Sequence, residues 1–196
     1  YQGSLTYNGL QVKEINHHDL MMQITLVEHN PYIFAGTVRS NLLDGNCYAS
    51  DEQLMAVLEK VNLLNYFKEL DGLDSEIEER GNNLSGGQKQ RLSIARALLH
   101  DSGVYIFDEA TSNIDIESEE IIMQVIEAMK KDKIVILISH RLANVVNCKC
   151  NYVFSHGKLI GNGSHDQLMQ ENQEYHQLVK TQQEIENYGG KTSEKA

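Results

Sequence analysis

A mixed α/β fold with a largely parallel sheet is what this 196-residue sequence predicts, and three observations carry the prediction. Short runs rich in β-branched and aromatic residues at 24–27, 103–107 and 133–138 alternate with stretches of helical periodicity. That alternation builds a parallel sheet covered by helices. Between the first two runs, residues 37–83 read as short helices and polar connections, so they form a helical insert. Finally, a helix opens at Ser85-Gly86-Gly87-Gln88, where two adjacent glycines cost up to about 1 kcal/mol each relative to Ala.

Taken in order, Ser4–Tyr7 with Asn8-Gly9 reads as a strand entering a tight turn, and Asp19–Met22 as a helical turn. Ile24–Val27 is expected to be a buried, parallel, central strand. Thr37 caps a helix over Val38–Leu43 that Asp44-Gly45 closes. Ser50 or Asp51 caps the next, whose Leu54, Val57, Leu58 and Val61 share one face. Leu63–Leu70 continues as helix, and Gly72–Arg80 is an acidic, irregular connection. Beyond the glycine-opened helix, strand 103–107 leads to helix 117–130 and strand 133–138 to helix 141–147. A hairpin over 151–162 closes the sheet, helices follow near 164–170 and 173–186, and the polar stretch 187–196 is expected to be disordered.

With 41% hydrophobic and 23% charged residues the composition is that of a globular domain, and the length suits one domain with a real core. A net charge of −11 argues against a sequence-independent nucleic-acid surface, which needs clustered Lys and Arg. No apolar run approaches the roughly 18 residues of a membrane span. Cys47, Cys148 and Cys150 lack a zinc-like C-x-x-C spacing and are expected to be reduced thiols, although Cys148-Lys149-Cys150 could hold a soft metal.

Three stretches carry chemistry. Ser85 and Gln88 make a capping box, but a capping box works equally well with Ala between its ends. Two bare positions at a helix N-terminus leave backbone N–H groups open to close approach, at the positive end of the helix dipole, and suit a phosphate. Leu92, Ala95 and Leu98-Leu99 pin that helix to a core. Val104-Tyr105-Ile106-Phe107 ends in Asp108-Glu109, and acids at the carboxyl end of a parallel strand stand where α/β folds place ligand sites. A carboxylate there can hold Mg²⁺ beside nucleotide phosphates. The β-branched run Ile134–Ile138 ends in Ser139-His140-Arg141.

In this order these motifs resemble the ATP-binding cassette (ABC) family, a P-loop NTPase-like fold. Leu84–Gln88 is similar to its signature motif, Val104–Glu109 to its Walker B strand, Ala110–Asp115 to its D-loop and Ser139–Arg141 to its switch histidine. The loop from Glu28 to Phe34 resembles the Q-loop. Thr37–Leu42, and Gly161–Leu168 with Tyr175 and Leu178, resemble the exporter-type class. There are three departures. His29 stands where Gln is usual, Asn113-Ile114 where Ala-Leu is commoner, and no G-x-x-x-x-G-K-[ST] phosphate loop occurs. The missing loop is expected to be an N-terminal truncation, since all that follows keeps its spacing.

The resemblance implies a nucleotide-binding domain that hydrolyses ATP with Mg²⁺ and drives transport, with this fragment alone inactive. Residues 1–36 would be the remaining ATP-binding core with the Q-loop, 37–83 the helical subdomain, and 84–186 the signature helix and the rest of the core. It implies Glu109 as general base, His140 as the switch residue, and Asp108 with His29 at the metal. Leu84, Ser85, Gly86, Gly87 and Gln88 would face nucleotide, and Asp115 would serve the D-loop. Partners would be a second nucleotide-binding domain, head to tail, and a transmembrane domain, with no nucleic acid, at the cytoplasmic face of the membrane. The alternatives are a chromosome- or repair-type ABC ATPase, or a regulatory module without a phosphate loop. The first would show a long heptad segment and basic surfaces, which are absent here.

Overall fold

The computed structural model describes residues 3–192, with side chains through Glu184. The chain forms two compact units that divide between Ile138 and Ser139, where the composition had suggested one domain.

In the first unit, the expected strand and turn at Asn8-Gly9 are completed by a second strand, so that β1 (Thr6–Tyr7) and β2 (Leu10–Gln11) pair antiparallel. The helix α1 (His17–Gln23) then leads into β3 (Ile24–Glu28). After the loop 29–35 comes β4 (Gly36–Thr37), whose last residue caps α2 (Val38–Leu43) through a reciprocal box with Ser40. Ser50 caps α3 (Asp51–Lys60) in the same way with Gln53. The turn at Val61–Asn62, with Asn62 at φ 52°, separates α3 from α4 (Leu64–Lys68). The connection read as irregular contains β5 (Glu76–Ile77), which pairs antiparallel with β4 and ties the end of the insert to its beginning.

Ser85 then caps α5 (Gly86–His100), which precedes the strand β6 (Val104–Asp108), the helix α6 (Ile116–Met129) and the strand β7 (Ile134–Ile138). The parallel sheet has the order β3-β6-β7. The strand β3, expected to be central and buried, is therefore an edge, and its Leu26 is exposed. Neighbour order in a sheet depends on crossovers, which local hydrophobicity does not encode. One face of the sheet, through Val27, Tyr105 and Phe107, packs with Leu92, Ile94, Ile122 and Ile126 of α5 and α6. Burying each such side chain contributes about 1.5–3 kcal/mol. Leu42, Leu54, Leu58 and Phe67 of the insert belong to the same cluster. The opposite face leaves Leu26, Ile134, Ile136 and Ile138 at 53, 61, 47 and 48% exposure.

The second unit begins with a 3₁₀ turn at Leu142–Asn144, where the sequence suggested a helix over 141–147. Asn147-Cys148-Lys149-Cys150 offers weak helix propensity and no apolar stripe to propagate that turn. Then β8 (Asn151–Ser155) and β9 (Lys158–Gly163) form a separate two-stranded sheet rather than closing the parallel one. A hairpin satisfies its inner hydrogen bonds by itself, so its sequence does not say which sheet it joins. Val153 packs with Leu168, Tyr175 and Val179 from α7 (His165–Glu171) and α8 (Gln173–Thr192). Helix α8 runs to Thr192, so the disorder expected from 187 gives way to helix for six of those residues. The Gln- and Glu-rich segment before them favours helix despite its polarity. Residues 193–196 lie outside the described residues.

Candidate functional site

The three parallel strands end level with one another. Glu28 pairs with Asp108, and Asp108 pairs with Ile138. The residues that follow β3 and β6, His29 and Glu109, therefore leave the sheet along the same carboxyl edge, where ligands bind in α/β folds.

Glu109 adopts φ 51°, the left-handed region, which costs a non-glycine residue about 1–3 kcal/mol. Two hydrogen bonds hold it there. Its N–H donates to the Ile138 carbonyl at 3.0 Å, and its own carbonyl accepts from the Ser112 N–H at 3.0 Å. The backbone thus reverses immediately after Asp108, whose side chain is exposed. Ala110, Thr111 and Ser112 are buried beneath the turn.

Asn113, also left-handed at φ 57°, brings its Nδ2 to 3.4 Å from Nε2 of His29. Two of the three departures noted in the sequence, at His29 and Asn113, thus meet. The other ring nitrogen of His29, Nδ1, is shielded from solvent without a hydrogen-bond partner. Behind it, the buried Gln90 donates from Nε2 to the Glu28 carbonyl at 3.0 Å, tying α5 to the end of β3. The loop beyond is held by Asn41, which is 1% exposed. Its Nδ2 donates to the carbonyls of Phe34 at 2.9 Å and Thr37 at 3.0 Å, and its Oδ1 accepts from the Phe34 N–H at 2.9 Å. Arg96 completes this wall, donating to the Tyr32 carbonyl at 2.9 Å beneath the Phe34 ring. Tyr32 and Phe34 pack edge to face and stay exposed.

At the start of α5 the capping box is complete. Ser85 Oγ accepts from the Gln88 N–H at 3.2 Å, and Gln88 Oε1 accepts from the Ser85 N–H at 2.8 Å. The cap leaves the first-turn amides of Gly86 and Gly87 without an intrahelical carbonyl. The two glycines, expected to be equally bare, are not. An added Cβ on Gly86 meets nothing within 4 Å, whereas one on Gly87 meets Ser118 and Asp115 at the start of α6. Asp115 caps α6, accepting from the Ser118 N–H and hydroxyl, each at 2.8 Å. These bonds, the backbone one first, hold its carboxyl below the usual range, with Arg91 adding to them. His140 follows β7 by two residues, in the second unit. It is exposed on a turn where Ser139 Oγ accepts from the Arg141 N–H at 2.9 Å.

For Mg²⁺, the exposed carboxylate of Asp108 is the oxygen ligand such a cation takes. Among the described residues no group of three or more His, Cys, Asp or Glu could hold a metal, so the shell would be completed by phosphate oxygens and water. Imidazole suits transition metals better than Mg²⁺. With Nε2 towards Asn113 and Nδ1 shielded, His29 fits Mg²⁺ poorly as a direct ligand.

Residues 1–112 match the family model described as ABC transporter. The chain belongs to the ABC transporter family. It is 47% identical over 185 residues to an uncharacterized ABC transporter ATP-binding protein of Haemophilus influenzae, covering 94% of this chain and 33% of that protein. It is 37% identical to an ATP-dependent lipid A-core flippase of Legionella pneumophila, covering 93% of this chain and 31% of the flippase. Among solved structures it superposes on a bacterial Atm1-family ABC exporter with ATP bound, with a TM-score of 0.87, 28% identity, and 93% of this chain and 32% of that one covered. The chain thus spans about a third of the length of these ABC relatives.

In this ABC domain, Asn41, Gln90, Arg91 and Ser118 shape the site without having been singled out from the sequence. Ser118 alone had a local signal, because Asp115-x-x-Ser118 is a helix-capping pattern. The others are polar residues within helices that each reach at least one partner lying 7 to 62 positions away.

Proposed function

We propose that this chain is the larger part of an ABC exporter's nucleotide-binding domain, whose parent protein hydrolyses ATP to drive transport across a membrane. The observation that carries this reading is Glu109, held in a left-handed turn at the level end of the central strand, directly after Asp108. From that turn Glu109 takes a proton from water attacking the γ-phosphate, as general base. Asp108 is the residue here that would hold Mg²⁺, which when bound neutralises phosphate charge. The residues Leu84–Gln88 present the open Gly86 and the helix dipole to nucleotide bound on a second, head-to-tail domain. Asp115 positions the D-loop, and His140, on its exposed turn, has the switch role. His29 would reach the metal only through water, with Asn113 fixing its ring. Tyr32, Phe34 and the insert receive the transmembrane partner, which places the chain at the cytoplasmic face of the membrane.

The test uses the full-length transporter. Glu109→Gln lowers kcat by about 10²–10⁴ while MgATP still binds. A variant hydrolysing within about tenfold of wild type would overturn the assignment. The 196-residue chain alone is expected to bind MgATP poorly, and saturation at micromolar ATP by calorimetry would contradict that.

A further inference from the structure

Gly86 and Gly87 are adjacent, yet their surroundings are opposite. A Cβ on Gly87 would lie 2.1 Å from Ser118 Oγ, 2.7 Å from Ser118 Cβ and 2.6 Å from Asp115 Oδ2. Carbon contacts are optimal near 3.5–4.0 Å, so no side chain fits without displacing α6. Nor can Ser118 simply turn aside. It is 2% exposed, and its hydroxyl and N–H both grip the Asp115 carboxylate. On the other flank, Arg91 donates from Nη1 to the Asn62 carbonyl at 3.0 Å and from Nε to the Gly87 carbonyl at 3.4 Å. Its charge faces Asp115 and Glu117. The first turn of α5 is therefore fastened twice, to the start of α6 by close approach at Gly87 and to the α3–α4 turn through Arg91.

We propose that Gly87 is a positioning residue that joins the nucleotide-facing end of α5 to the Asp115–Ser118 cap, so that the two surfaces move as one body within a subunit. This rests on reading Leu84–Gln88 as nucleotide-facing. It divides the glycine pair by role, with Gly86 giving access and Gly87 giving contact. Because the α5 end faces the partner domain's nucleotide and the cap sets its position, loosening the joint reduces turnover more than ATP binding.

The experiment compares Gly86→Ala, Gly87→Ala, Ser118→Gly and the double variant Gly87→Ala/Ser118→Gly in the full-length transporter. Gly87→Ala is expected to lower kcat at least about tenfold with KM for MgATP within about twofold, and Ser118→Gly to restore most of that loss. Ser118→Ala, which removes the oxygen but keeps the 2.7 Å carbon, restores less. Loss in Gly86→Ala is not relieved by Ser118→Gly. A Gly87→Ala loss that Ser118→Gly fails to relieve, or one falling on KM, would overturn the proposal. Amide exchange at Glu119, whose N–H donates to the Asp115 carbonyl at 3.0 Å, gives a readout without nucleotide. It rises in Gly87→Ala and falls back in the double variant. If hydrolysis is absent, the functional reading fails and this exchange result alone decides the joint, an unchanged rate in Gly87→Ala refuting it.

Discussion

Asn41 offers a direct test of how the loop beneath the sheet edge is held. Its buried amide makes three hydrogen bonds, two as donor to the Phe34 and Thr37 carbonyls and one as acceptor from the Phe34 N–H. At about 1 kcal/mol net per bond, Asn41→Ala forfeits about 3 kcal/mol. Any of those backbone groups left dry adds about 1–3 kcal/mol, reduced by water entering the space the side chain vacates. An overall loss of about 3–4 kcal/mol follows. Asn41→Asp is the sharper variant. It has nearly the same shape and keeps the acceptor for the Phe34 N–H, but it turns both donations into contacts between a carboxylate and a carbonyl. Urea unfolding measures the cost. With an m value of about 2 kcal/mol/M, Asn41→Ala moves the midpoint down by about 1.5–2 M. Amide exchange at Phe34 should rise with it, because this N–H loses its acceptor. Asn41→Ala within about 0.5 kcal/mol of wild type, or Asn41→Asp as stable as wild type at neutral pH, would refute the reasoning.

Two further outcomes follow from the same packing. Asp115 has a depressed carboxyl pKa in the folded state, caused first by the Ser118 N–H, then by its hydroxyl, with Arg91 adding charge. Its contribution to stability is therefore present above the unfolded value of about 3.9 and is lost as pH falls through the folded value. The stability gap between wild type and Asp115→Asn should hold steady above pH of about 4 and narrow below it in urea titrations, and a gap that widens on acidification would contradict the sign. On the bare sheet face, Ile136→Thr should change stability by no more than about 0.5 kcal/mol while lowering the aggregated fraction by light scattering. A loss above about 1 kcal/mol would mean that Ile136 is packed.

The caps were legible residue by residue, because each is a contact within three positions. Thr37 and Ser85, and Ser50 of the pair Ser50 or Asp51, each close on a residue three along the chain, in keeping with their residue types. The strand at 104–108 and its terminal acid were legible for a related reason, since an apolar run that ends in charge marks where a strand leaves the core. The tail misled, because composition reports how little a segment can bury and not whether its backbone closes hydrogen bonds upon itself.

By itself, then, the sequence determined most of the local elements, the order of the motifs and the acid pair Asp108-Glu109 at the end of an apolar run, all of which depend on short-range hydrogen bonding and periodicity. Tertiary structure alone decided that β3 is an edge, that β8 and β9 form a two-stranded sheet of their own, and that His29 meets Asn113 across 84 positions. It also separated Gly86 from Gly87, two identical residues in one motif. The physical reason is that steric exclusion is set by whichever atoms the fold brings close. For Gly87 those atoms belong to Ser118 and Asp115, on a helix that begins after the whole of α5 and β6.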